Sequence, residues 1–331
     1  MRQLARFAVG LLEPRPEDYV VDPTAGSGGF LLESLLQVWH RIERDFAGLP
    51  ASEIDRAKVD FALQHVYGIE IHEVLARICK LNLLLHHDGH TNIEGGRSCL
   101  DAAFDNARLN PPRSKFSVVV GNPPFGDKVK AGDVERLGAS VLGDFSIAAG
   151  RNKVVSEHVI LERSVDLLEP SGRLGLVLPD GLLNNQGDLS NCPQARLLLA
   201  KAGRIIAIVS LPDYAFRKSG AQNKTSLLFF RKFSVAERAL FERHFRPAGD
   251  APAQQARAVA DAYEAAGLGY RVFLAEANAV GCTTVGIPGG ANDLYVADAD
   301  GQLAAAQVNV VLGEYRAFVA NPGGYQGRDR P

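Results

Sequence analysis

Apolar positions along the first two thirds of the chain fall into two alternating patterns. Short apolar runs end on an acid, an asparagine or a glycine. They are followed by stretches whose apolar positions lie three and four apart. The first pattern predicts strands and the second predicts helices. Residues 2–12 predict a short helix. Tyr19, Val20 and Val21 predict a strand ending at Asp22. Residues 28–46 predict a helix in which Phe30, Leu31, Leu35, Val38 and Ile42 share one face. The pattern repeats with a strand over 66–71 and a helix over 72–86. A buried type of strand over 117–120 stops at Gly121-Asn122-Pro123-Pro124. Residues 157–168 predict an amphipathic helix closed by Pro170 and Gly172, and 174–178, 205–210 and 226–230 predict further strands. Strands alternating with helices imply βαβ units in an α/β fold with a doubly wound, mainly parallel sheet.

Two regions depart from this pattern. Residues 127–152 are Gly-rich, mixed in charge and without period, so they read as a mobile loop. Past about residue 235 the composition turns Ala-rich and polar. A helix near 252–266, a strand near 270–275 and a final helix near 306–319 are expected there. The expected organisation is a catalytic domain over 1–234. A C-terminal mixed α/β appendage, largely helical, then packs on it over 235–331.

Composition narrows the function classes. The chain has 331 residues and a formal net charge of −2. That length suits one large α/β domain or two smaller ones. The charge excludes a basic nucleic-acid coat, so contact with DNA would need a local patch or a partner. Hydrophobic residues at 46% against 22% charged exclude a disordered chain. The four cysteines, at 79, 99, 192 and 282, form no C-x-x-C pair, which argues against a zinc ribbon or a disulfide scaffold. No run of about 18 apolar residues reads as a membrane span. The expected setting is reducing and cytoplasmic, with no membrane partner.

Three motifs carry candidate chemistry. The first is Asp22-Pro23-Thr24-Ala25-Gly26-Ser27-Gly28-Gly29-Phe30, between a strand and a helix. Its glycines let backbone approach a ligand and present N–H groups at a helix start. Its spacing is not that of the dinucleotide G-x-G-x-x-G. The acid at the strand end suits a ligand with both an ammonium group and a carboxylate. A tight βα turn without a ligand is the plainer alternative. The second is Glu70-Ile71 at the next strand end, where a carboxylate can accept from two ribose hydroxyls. An acid stabilised at a helix N-terminus is the plainer alternative. The third is Asn122-Pro123-Pro124-Phe125. Two prolines stiffen the turn. An asparagine oxygen and a proline carbonyl can accept the two hydrogens of an exocyclic amine, and Phe125 offers a flat face to a base turned out of its stack.

Together these residues resemble the S-adenosylmethionine-dependent DNA methyltransferases that act on amino groups. Within them the likeness is to the adenine-N6 modification (M) subunits of type I restriction–modification systems. It extends through residues 168–179, residues 208–212, Phe216 and residues 224–230, and on to Val272-Phe273-Leu274-Ala275 and Asn292-Asp293-Leu294. The resemblance implies a Rossmann-like fold and the cofactor S-adenosyl-L-methionine. By it, Asp22 and the loop of Pro23, Thr24, Gly26, Ser27, Gly28, Gly29 and Phe30 hold the cofactor's methionine part. Glu70, with Ile71 beside it, holds the ribose. Asn122 and the Pro123 carbonyl, followed by Pro124, orient the target amine. Phe125 stacks on the flipped adenine and Phe216 covers its other face. Implied partners are duplex DNA with a flipped adenine and the specificity (S) and restriction subunits.

The sequence departs from the family in places. An acid that meets the cofactor's adenine is expected just before Leu100, where Gly96-Arg97-Ser98-Cys99 stands instead; Ser98 or Asp101 is the substitute. The family's Thr-Pro before the first helix and its long helical N-terminal domain lie outside the chain, so a trimmed or truncated member is expected. Two rival readings stay open: N-methylation of RNA or of protein glutamine, and a non-catalytic scaffold that binds DNA or a partner with a degraded cofactor site. The run His86-His87-Asp88-Gly89-His90 reads as a helix end, not a metal site. Lys128, Lys130, Arg136, Arg151 and Lys153 read as contacts to phosphates near the flipped base, with a solvated loop as the plainer alternative.

Overall fold

The protein is described by a computed structural model covering residues 2–86, 89–101, 115–130, 142–187, 190–216, 224–249, 251–284 and 287–327. Its centre is an eight-stranded sheet. In chain order the strands are β1 (Val20–Asp22), β2 (Val66–Glu70), β3 (Ile93–Gly95), β4 (Phe116–Gly121), β7 (Leu168–Pro179), β8 (Gly203–Ser210), β9 (Thr225–Lys232) and β10 (Phe273–Glu276). Their spatial order is β3-β2-β1-β4-β7-β9-β8-β10. All neighbours are parallel except β9, which is antiparallel to both β7 and β8. β1 and β4 are buried along their whole length. Continuous apolar runs are what a parallel strand covered on both faces requires.

The chain moves from β1 to β2 and β3 on one side, then returns to place β4 on the other side of β1. That reversal is the topological switch point of a doubly wound sheet, where ligands bind beyond the carboxyl ends of the strands. Asp22 and Gly121 end the two strands there. Helices α1 (Arg2–Leu12), α2 (Gly29–Asp45), α3 (Ala51–Gln64) and α4 (Glu73–Leu85) share one core cluster on one face. Helices α5 (Ser156–Leu167) and α7 (Cys192–Ala202), with the short α6 (Asp180–Asn184) before it, belong to a second cluster on the other face.

Several elements differ from the sequence expectation. α3 was not expected because only Phe61 and Ala62 of its residues are buried, so no apolar stripe marks it. The stretch expected as a mobile loop over 127–152 is tied down at both ends. β5 (Lys128–Lys130) pairs antiparallel with β6 (Lys153–Val155). Leu142, Phe145, Ile147 and Ala148 are buried in the second core. Glu162 accepts from Ser146 N and Ile147 N, both at 2.8 Å. Strands of three residues are too short for periodicity to register. Arg136 of the basic set, and His87 and Asp88, lie outside the described residues.

Past residue 235 the chain stays with the sheet. α8 (Val235–His244) starts at a capping box, with Glu237 N donating to Ser234 Oγ and Ser234 N donating to Glu237 Oε2. α8 and α9 (Pro252–Ala265) enclose a small apolar cluster of Phe233, Phe241, Val259 and Ala262. β10 then joins the sheet edge, a hairpin forms from β11 (Val280–Cys282) and β12 (Pro288–Asn292), and α10 (Val311–Ala320) packs Val311, Leu312 and Phe318 into the first core. Among the described residues no helix is long and apolar enough to cross a membrane.

α1 is fastened to α2 by charge as well as by packing. The fully buried Glu33 carboxylate accepts from Arg2 Nε at 2.8 Å and from Arg6 Nε and Nη2 at 2.9 and 3.1 Å. Arg6 also donates to the Gly301 carbonyl of the tail. Removing the acid strands a largely buried guanidinium, while the half-exposed Arg2 can turn to water. Glu33→Ala is therefore expected to cost about 3 kcal/mol, the low end for breaking a buried ion pair. Urea denaturation of the variant beside wild type measures it.

Candidate active site

Asp22 closes β1 with its side chain buried. Its Oδ1 accepts from Thr24 N at 2.9 Å and from Thr24 Oγ1 at 3.5 Å. Burial pushes the carboxyl from its ordinary 3.8 up to about 7; the Thr24 backbone bond works against this and the Glu70 charge adds to it. The glycine loop follows. Gly26 and Gly28 have φ of +54° and +85°, where L side chains are strained. A Cβ on Gly28 would stand 2.7 Å from Cys79 Sγ of α4. Gly28 N donates to Ala25 O and Ala25 N donates to Ile69 O, both at 2.8 Å. Asn82 of α4 donates to Ser27 O at 2.9 Å. The loop is thus shaped from behind by α4 and from beside by β2. Pro23 and Phe30 are buried, Thr24 is half-buried, and Ser27 and Gly29 face solvent.

Glu70 is buried and acts as a clamp. Gly26 N donates to its Oε2 and His72 N to its Oε1, both at 2.8 Å. Each oxygen keeps a lone pair, because a carboxylate offers about four acceptor positions. Ile71 beside it is exposed. The 96–101 corner is adjacent, since Gly96 N donates to Glu70 O at 2.9 Å. There Ser98 Oγ accepts from Leu100 N at 3.1 Å, and the buried Asp101 pairs with Arg97 at 3.3 Å. The two substitute residues therefore already carry local bonds.

The Asn-Pro-Pro-Phe turn leaves β4 directly beside Asp22. A Cβ on Gly121 would stand 2.5 Å from Asp22 Oδ1. Asn122 Oδ1 is buried and has no hydrogen-bond partner among the described residues. An unpaired buried acceptor costs on the order of 1–3 kcal/mol, so it marks a place that a donor would fill. Pro123 is buried and Pro124 exposed. Phe125 is half-buried and meets the buried Phe216 edge-on, with centroids 6.3 Å apart and planes at 81°. The structure thus brings Asp22, the glycine loop, Glu70, Asn122, Phe125 and Phe216 to one end of the sheet. The supporting roles of Cys79 and Asn82 had no signal in the sequence. They depend on contacts across the fold.

The raised Asp22 carboxyl has a consequence for stability. Unfolding restores an ordinary acid, so the folded chain binds more protons between about pH 4 and 7, and stability from this group is lost as pH rises through that window. Asp22→Asn removes the dependence. The variant is expected to melt close to wild type near pH 4 and progressively above it up to pH 8. Paired thermal melts across that range test this.

Comparison with known proteins gives the chain's family and fold. The chain matches the N-6 DNA methylase family over residues 2–245. It is 27% identical over 255 residues to the type I restriction enzyme EcoEI methylase subunit of Escherichia coli, covering 75% of this chain and 45% of that protein. It is 29% identical over 237 residues to the EcoKI methylase subunit of E. coli K12, covering 71% and 40%. The chain therefore spans less than half the length of these curated relatives. The crystal structure of the EcoKI M protein superposes with a TM-score of 0.52 at 26% identity, over 71% of this chain and 44% of that one. A modification subunit of a putative type I restriction enzyme from Vibrio vulnificus shares the fold, with a TM-score of 0.55 at 23% identity over 71% and 44%. The sheet is that of a Rossmann-like methyltransferase, and the chain belongs to the N-6 DNA methylase family.

Proposed function

We propose that this chain transfers a methyl group from S-adenosyl-L-methionine to the N6 amine of an adenine turned out of duplex DNA. In this reading it works in the cytoplasm as the modification component of a type I-like restriction–modification system, beside specificity and restriction subunits. Residues 1–234 form the catalytic unit and 235–331 the appendage that supports its edge. The observation that carries the reading is the buried, unpartnered Oδ1 of Asn122, one residue beyond the strand end that touches Asp22.

When bound, S-adenosylmethionine supplies an electrophilic methyl group on a sulfonium centre. The residues present suit it. Asp22 and the loop of Pro23, Thr24, Gly26, Ser27, Gly28, Gly29 and Phe30 would hold the methionine part. Glu70 and Ile71 would hold the ribose, and Ser98 or Asp101 the adenine ring. Asn122 Oδ1 and the Pro123 carbonyl accept the two hydrogens of the target amine. Those bonds favour a tetrahedral nitrogen and free its lone pair from the purine ring. Phe125 supplies a stacking face worth roughly 1–3 kcal/mol, with Phe216 behind it. Catalysis here is positioning and electrostatics, with no covalent enzyme intermediate. The methylated nitrogen then loses one proton to water.

Two measurements test the reading. Calorimetry should show S-adenosylmethionine binding to wild type and its loss in Asp22→Ala. Transfer of labelled methyl groups to amplified, hence unmethylated, bacterial genomic DNA should fall about 100-fold or more in Asn122→Ala, the scale for losing one preorganised polar contact. Transfer that survives Asn122→Ala would overturn the role given to the turn.

A further inference from the structure

The Asn-Pro-Pro-Phe turn has few means of holding itself. Pro123 and Pro124 have no N–H to donate. The pairing of β4 with β7 ends at Gly121 opposite Leu176. Beyond that point the turn is held from outside, by the first residues of α5. Ser156 Oγ donates to Pro124 O at 3.1 Å. Gly126 N donates to Glu157 Oε2, also at 3.1 Å. Ser156 N donates to Asp127 O at 2.8 Å. The three bonds bracket Phe125 on both sides. Ser156 and Glu157 are both buried.

We infer that Ser156 and Glu157 are positioning residues that fix the aim of Asn122 and Phe125. This rests on the reading of the turn as the element that grips the target amine. An acid in the first turn of a helix usually faces solvent and needs only the helix dipole. Glu157 instead turns inward to one backbone N–H of the turn. Burial lifts its carboxyl above the ordinary value, so the placement carries a cost. The bracing also accounts for the unpartnered oxygen. A turn free to shift would let Asn122 Oδ1 find a donor within the protein or in water. A displacement of about 1 Å at such a site costs on the order of 100-fold in rate.

The experiment reads the turn directly. p-Fluorophenylalanine is placed at position 125 of the full chain, and its fluorine resonance is recorded for wild type, Ser156→Ala, Glu157→Ala and Glu157→Gln. Glutamine keeps one oxygen to accept from Gly126. The expected result is one sharp line in wild type and Glu157→Gln, a broadened or split line in both alanine variants, and unchanged S-adenosylmethionine affinity throughout. Methyl transfer to amplified genomic DNA is expected to fall about tenfold or more in Glu157→Ala and to recover in Glu157→Gln. An unchanged line in Glu157→Ala, or equal broadening in Glu157→Gln, overturns the inference whatever the chain's activity alone. Loss of transfer in Asn122→Ala with none in Glu157→Ala overturns the positioning role only. Transfer that survives Asn122→Ala overturns the reading of the turn itself.

Discussion

The contact on which the site depends is that between the Asp22 carboxylate and the backbone of Gly121. The two strands that carry them are neighbours at the switch point of the sheet, and no side chain separates them. A methyl group at position 121 would stand only 2.5 Å from an Asp22 oxygen. Because Gly121 has no side chain, the end of β4 packs against Asp22, and the Asn-Pro-Pro-Phe turn starts one residue further on. The left-handed glycines at 26 and 28, the Cys79 sulfur beneath them and the Glu70 clamp keep the other wall in place.

The central strands and the helices α1, α2, α4 and α5 were legible because each buries a continuous apolar run or one stripe of a helix. Val20 to Asp22, Val66 to Glu70 and Phe116 to Gly121 all read this way. The two prolines after Asn122 and the glycines after Asp22 marked the turns. What stayed hidden follows from short length and long range. β5 and β6 have three residues each and gain their order by pairing across 25 positions. α3 shows the core only Phe61 and Ala62. The capping box at Ser234 and Glu237 is local and readable, yet α8 buries only Phe241 and so carries little stripe.

The candidate site divides in the same way. Residues that would touch ligand stand in contiguous motifs and could be read from order and spacing. Residues that hold them do not. Ser156 and Glu157 follow the turn by more than 30 positions, and Asn82 lies 55 residues beyond Ser27. The tail is similar. Nothing around Phe273 shows that it extends a sheet whose nearest strand is Gly203–Ser210.

The buried acid at the end of β1 couples ligand charge to the acidity of the solution. With its carboxyl raised by burial to about 7, Asp22 binds a proton far more readily than an ordinary aspartate does. A cation that settles against Asp22 expels that proton into the medium. The heat of such binding then includes the ionisation heat of the buffer, so phosphate and Tris would report different enthalpies for the same event. The dependence of affinity on pH would level off once Asp22 is fully ionised.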